Sequence, residues 1–310
     1  MFGSAARETM IGRRRALGMA ALALTVAACG PPAPAHVRLG SGLAGGLFHE
    51  FGSTLAEAAD RTTTVRVDPV PTAGSVENLE LLESGGVDAA LALGDSAALL
   101  GSRALAVGRL YESYIHLAVR ADSPVQHIGD LRGARVDIGV AGSGAALTGE
   151  RLLRSAGMEP GRDYTISQRE LADALPALHS LAVDAILWGA GLPTPEVGTT
   201  ASIRMLDLGE WVQPMRDRFG YSYDHVPVPA NTYPGSSGFE TIGVPVLLLV
   251  APGTGDGTVV ALADLLVHHS HALVPERARG FQFFDRRWLV STGSIPLHPA
   301  AADYYRDQHG

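Results

Sequence analysis

The sequence predicts an α/β protein of two similarly built lobes, each an open, mostly parallel sheet flanked by helices. Three observations lead there. Short apolar segments alternate with helical patterns, and several run into loops rich in glycine or hydroxyl groups that feed the next helix. The run Val87-Asp88-Ala89-Ala90-Leu91 returns as Val183-Asp184-Ala185-Ile186-Leu187, each time after a helix and before a loop. Beyond its leading segment the chain keeps about 280 residues, more than one small core organises.

The leading segment carries Arg13-Arg14-Arg15 and then an alanine-rich apolar run over 16–28. That run is too short to cross a bilayer, which takes roughly 20 residues. It closes at Ala27-Ala28-Cys29-Gly30, a small-small-Cys pattern that resembles a bacterial lipoprotein signal, so residues 1–28 are expected to be removed and Cys29 lipidated. The arginine pair also permits a twin-arginine route, although residues 16–18 fit it poorly. Cys29 is the single cysteine, and lipidation there leaves the mature protein no thiol for disulfides or thiol catalysis. Residues 29–35, with Pro31, Pro32 and Pro34, form an extended tether.

The first part of lobe one spans 36–115. A strand ends at Leu39, the loop 40–46 follows, and a helix places Leu47, Phe51, Leu55 and Ala58 on one face. An extended segment over 64–67 leads to Pro71-Thr72-Ala73-Gly74-Ser75 and a second helix; the strand 86–93 then stops at Gly94-Asp95-Ser96. In an open parallel sheet such loops share one edge, where ligands bind over helix starts. The buried strand 115–120 carries the chain into lobe two, 116–243. There a strand over 135–140 meets Ala141-Gly142-Ser143-Gly144, a helix over 145–156 follows, and another over 169–181 precedes the strand 183–189. After the turn Tyr233-Pro234-Gly235, a strand over 242–250 returns the chain to lobe one, completed by 244–310. A helix over 258–270 belongs to that return, and Phe281, Phe283, Phe284 and Trp288 are expected to pack there.

Composition excludes several chemistries. All 24 basic residues are arginine, which removes Schiff-base chemistry and a P-loop lysine. Loss of residues 1–28 moves the formal charge from −8 to −11, unsuited to nucleic acid or an anionic membrane face. No Gly-x-Ser-x-Gly occurs, and His268, His269 and His271 lack the register of a metal site. Gly40-x-Gly42-x-x-Gly45 matches a dinucleotide fingerprint literally, but it is a chance match. No catalytic group, metal or cofactor is expected.

A binding role uses the same loops. Ser41, Ser75 and Ser143 each precede a helix, where a hydroxyl caps the first turn or donates to a ligand. The backbone of Gly42, Leu43, Ala44 and Gly45 and of Gly144 and Ala145 offers N–H donors, and Asp95 orients a ligand donor or caps its own helix. Trp188 and Tyr233 supply flat apolar walls with a polar handle. Arg109 and Arg120 lie near the crossover as alternative ion-pair partners, with the surface their expected place.

Gly40-Ser41-Gly42 with Gly46, Gly74-Ser75-Val76-Glu77-Asn78-Leu79, residues 88–95, residues 111–144, Asn231-Thr232-Tyr233-Pro234-Gly235 and Pro296-Leu297-His298-Pro299 together resemble the TAXI branch of TRAP-transporter solute receptors. The resemblance covers most of 38–306. It implies a type II periplasmic-binding-protein-like fold and a monomeric receptor on the outer face of the cytoplasmic membrane. Such a receptor closes on a small organic anion, a carboxylate, dicarboxylate or amino acid, and hands it to TRAP membrane subunits. It also adds Asn78 to the candidate ligand contacts. The alternatives are a receptor for an ATP-driven importer or a sensor, and then an exported enzyme on the same fold. Leu43, Ala44, Phe48, His49 and Ala145 depart from the family pattern by replacing hydrogen-bonding groups with apolar, smaller or different ones, so substrate does not carry over. If Cys29 is lipidated, the mature protein fractionates with membranes and Cys29→Ser releases it or blocks its processing; unchanged attachment of the variant would overturn the anchor.

Overall fold

The computed structural model describes residues 34–62, 64–198, 202–275 and 287–308. The signal segment, Cys29 and Phe281, Phe283 and Phe284 lie outside them. The described residues build one ten-stranded sheet in the order β2-β1-β3-β10-β4-β7-β5-β6, with β8 beside β4 and β9 beside β10.

One half of the sheet comes from β1 (Ala35–Gly40), α1 (Leu47–Asp60), β2 (Val65–Val70), α2 (Ser75–Ser84), β3 (Ala89–Leu93) and α3 (Gly94–Leu99). The other comes from β5 (Arg135–Asp137), α4 (Gly144–Ser155), β6 (Thr165–Ser167), α5 (Leu171–His179) and β7 (Ala185–Ala190). In each half the strands pair in parallel, β1 with β2 and β3, β5 with β6 and β7. Burial explains the all-apolar β3: every residue of Ala89–Leu93 is covered. The remaining elements are β8 (Ile203–Met205), α6 (Val212–Phe219), β9 (Asp224–Val228), α7 (Asp256–His268) and α8 (Pro299–Gln308).

Two long antiparallel strands, β4 (Leu105–Arg120) and β10 (Phe239–Val250), join the halves. The end of β10 pairs with β3 through Val246–Val250, while β4 pairs with β7 through Tyr114–Val119. The strand expected over 115–120 is therefore the end of a sixteen-residue one. Its earlier polar positions did not break it, because Arg109 and Glu112 pair with each other against the sheet. The strand expected over 135–140 stops at Asp137 instead: Gly139 adopts φ +86°, and Asp137 turns to accept from the Gly139 and Arg169 amides.

The sequence echo has a physical counterpart. Arg38 on β1 binds Asp88 through its own amide, Nε and Nη2, all at 2.9 Å. Arg135 on β5 binds Asp184 through the same three groups at 2.8, 3.0 and 2.8 Å. Each aspartate amide returns a bond to the arginine carbonyl at 2.8 Å. Both carboxyls are held below their ordinary value, first by the arginine side-chain hydrogen bonds. The two halves thus start from the same β-α-β unit.

Behind the strands a buried polar cluster ties the halves together. Asp95, fully buried, accepts from Thr148 Oγ1 at 2.8 Å, Arg151 Nη1 at 3.0 Å and Tyr223 OH at 3.1 Å. Burial raises its carboxyl, and the Arg151 charge with these hydrogen bonds opposes that. Arg151→Met strands this carboxylate in the interior and is expected to cost about 3–5 kcal/mol in urea unfolding; a loss under about 1 kcal/mol would show that the cluster does not hold the halves together.

Candidate functional site

A cleft of about 390 Å³ opens between the two sheet halves. Its wall on one side is the 42–48 loop and first turn of α1 with Glu50, Ala73, Gly74, Ser75 and Leu93; on the other stand residues 139–140, 143–145, 169–172, 188–191 and 193–196; Tyr111 and Ser113 of β4 lie at the base.

Of the sequence-selected residues, Gly42, Leu43, Ala44, Gly45, Ser75, Ser143, Gly144, Ala145 and Trp188 line this cleft. Ser41, Asn78, Asp95 and Tyr233 do not; each is buried behind it with its polar atoms engaged. Ser41 Oγ donates to the Val70 carbonyl at 2.9 Å and meets His49 Nδ1 at 2.8 Å. Five residues still separate Ser41 from α1, so it caps nothing. Asn78 donates to the Leu91 carbonyl and accepts from Thr72 Oγ1, which fastens α2 to β3. Asp95 belongs to the cluster described above. Arg120 pairs with exposed Asp122, and Arg109 with Glu112 and Asp224; neither lines the cleft.

The helix starts divide by what their amides meet. At α2, Val76 and Glu77 donate to the Gly142 carbonyl across the cleft at 3.0 and 3.3 Å, and the Ser75 hydroxyl accepts from the Leu93 amide. The two amides thus hold the walls together rather than facing the cleft. Ser143 caps α4 by accepting from the Ala146 amide at 3.1 Å, which leaves Ala145 in the first turn with no acceptor among the described residues. Gly46 before α1 and Glu170 before α5 make no side-chain cap, so the first-turn amides of Leu47, Phe48, Leu171 and Ala172 also meet none. Three helices therefore begin on one cleft with donors unspent.

Sequence reasoning passed over Arg169 and Ser113. Arg169 lines the cleft with Nη1 held by Asp137 Oδ2 and Ser167 Oγ, both at 2.7 Å. Its partner lies far along the chain, so no local pattern announces it. Ser113 lies just ahead of the 115–120 segment read as a strand, with no turn or glycine signal beside it.

A buried network sets the Trp188 wall. His116 on β4 stacks flat on Trp188, with centroids 4.7 Å apart and planes at 5°. Its Nδ1 faces the Tyr114 carbonyl at 3.0 Å and so carries the proton, leaving Nε2 to accept from Tyr233 OH at 2.8 Å. Tyr233 OH accepts in turn from the Thr194 amide, and Trp188 Nε1 donates to Thr194 Oγ1, each at 3.0 Å. Tyr233 thus acts on the cleft from behind. Desolvation pushes His116 down to about 3, and the Tyr114 contact only partly opposes it. The ring is neutral when folded, whereas the unfolded chain binds a proton below about pH 6.5. The stability it contributes is complete above that pH and is lost as pH falls toward 3, at about 1.4 kcal/mol per unit. The stability gap between wild type and His116→Gln, measured by urea unfolding, should shrink at that rate between pH 6 and 4; a constant gap would rule out a buried neutral ring.

Among the described residues no group of three His, Cys, Asp or Glu side chains is placed to hold a metal, and no helix is long and apolar enough to cross a membrane. The family model described as NMT1-like matches residues 39–308. Among the similar solved structures are three with different bound or named solutes. The Xanthomonas citri protein XAC2383 bound to chloride is 15% identical, covers 88% of this chain and 99% of its own, and has a TM-score of 0.52. An ancestral arginine-binding protein bound to arginine is 15% identical over 79% of this chain and 98% of its own, at 0.50. The periplasmic aliphatic sulphonate binding protein SsuA from Escherichia coli is 18% identical over 88% and 79%, at 0.45. At these identities the likeness is one of fold, and the fold is the two-lobed α/β one of periplasmic binding proteins.

Proposed function

The chain belongs to the NMT1-like family, and from that premise we propose that it is an extracytoplasmic solute receptor which binds a small organic anion between its lobes. The lobes are 36–115 with 244–310, and 116–243. Cys29 anchors the receptor to the outer face of the cytoplasmic membrane, and it delivers its solute to TRAP membrane subunits. The motif resemblance described above supports the TAXI branch over other receptors that share the fold.

One observation carries the reading: three helices, α1, α4 and α5, start on the same cleft with first-turn amides unspent. Such donors favour an anion because the peptide dipoles add their positive ends there. The cleft's size suits a small metabolite. Membrane subunits encoded beside this chain would mark the TRAP route.

A thermal-shift panel of organic anions, amino acids, sugars and polyamines on the exported protein tests this. An organic anion at a hundred times its Kd should add about 2.7 kcal/mol of stability and a clear rise in Tm. Stabilisation by sugars or polyamines alone would overturn the anion reading, and no stabilisation by any solute would overturn the receptor reading.

A further inference from the structure

We propose that the cleft is built for a single-headed organic anion with an apolar body, and that Ser113 on its floor anchors the head group. This rests on the receptor reading and names the ligand class within it.

Ser113 lies on β4, opposite Val244 of β10, where the two long strands cross from one half of the sheet to the other. It shares a strand face with Tyr111, and both line the cleft. It is only 5% exposed, and among the described residues its hydroxyl has no hydrogen-bond partner. Of the other small hydroxyls of the wall, Thr194 donates to the Gly191 carbonyl and accepts from Trp188, while Ser75 and Ser143 accept from the Leu93 and Ala146 amides and keep their protons; Ser113 is the one of the four that makes no bond. Its oxygen opens on the cleft rather than being sealed in the interior, so its proton and its lone pairs are both available to a ligand there.

Its neighbours say where the partner sits. A Cβ placed on Gly189 would come 3.4 Å from Ser113 Oγ and 2.9 Å from the Ala145 Cβ. Ser113, the side-chain-free Gly189 and the first turn of α4 therefore meet at one point. A carboxylate oxygen there gains the Ser113 O–H, with the open first turn of α4 beside it. From that point the walls are apolar, with Phe48, Leu93, Leu171 and Trp188 facing the space. Charge argues against a second acid group. Among the described lining residues Arg169 is the sole cation, and Asp137 already holds it. Exposed Glu170 stands next to it on the same cleft. A dicarboxylate would bring its second charge to no uncommitted cation and near a like charge.

Calorimetry on the exported protein with 4-methylpentanoate and glutarate, acids of similar length, separates the cases. The expected result is 4-methylpentanoate at least about tenfold tighter, with Ser113→Ala weakening it by roughly tenfold to 150-fold, the worth of one hydrogen bond to a charged group. The unliganded Tm of Ser113→Ala should hold, because no hydrogen bond among the described residues is lost. Glu170→Gln should narrow the preference by improving glutarate. Glutarate binding as tightly as 4-methylpentanoate, or tighter, would overturn the ligand class while leaving the receptor reading intact. Unchanged affinity in Ser113→Ala would overturn the anchor. Failure of both acids at millimolar concentration would overturn the proposal, and the wider thermal-shift panel then decides separately whether the receptor reading stands.

Discussion

The hydrogen-bond ladder between β4 and β10 is the constraint from which the rest of the architecture follows. Its register runs from Ile115 opposite Ile242 to Leu105 opposite Val250. Each of these strands serves two neighbours along its length, so one continuous sheet holds two separate β-α-β assemblies. Because the ladder is antiparallel and the flanking units are parallel, the loops of both halves open toward the same crossing region. The side chains of β4 there alternate between cleft and core: Tyr111 and Ser113 face the cleft, while Glu112 lies against Gly243. Desolvation lifts the Glu112 carboxyl to about 7 in spite of the Arg109 charge. The crossing therefore places a titratable group behind the cleft but not in its lining.

The second organising fact is the accounting of helix-start amides. Every helix begins with N–H groups that its own backbone does not satisfy. Here α2 spends two of them on the Gly142 carbonyl, a contact between walls that closes the cleft from one side. The Asp95 cluster joins the same two halves through side chains. Together these contacts bring the starts of α1, α4 and α5 around a common space, where their remaining donors favour negative charge. The acid residues of the lining limit how much negative charge that space accepts.

The sequence by itself determined the repeated unit and where its loops fall. Period-two and period-3.6 apolar patterns, glycine at the turns and the Val-Asp-Ala echo are local properties, and local sterics and burial translate them directly into strands, helices and the paired Arg–Asp clasps. The glycine-rich segments at 42–45 and 143–145 fell on the cleft for the same reason, since a loop between a strand and a helix must sit at the sheet edge. Which polar groups stayed free was decided only in three dimensions. Ser41 is consumed by a carbonyl 29 residues away, Tyr233 by His116 at a separation of 117, and Asp95 by Tyr223 at 128. Ser113 fell outside every strand, helix and loop the sequence marked, yet among the described residues its hydroxyl makes no bond. A side chain's availability to a ligand depends on every acceptor and donor that folding brings within about 3 Å, and no short window of sequence contains them.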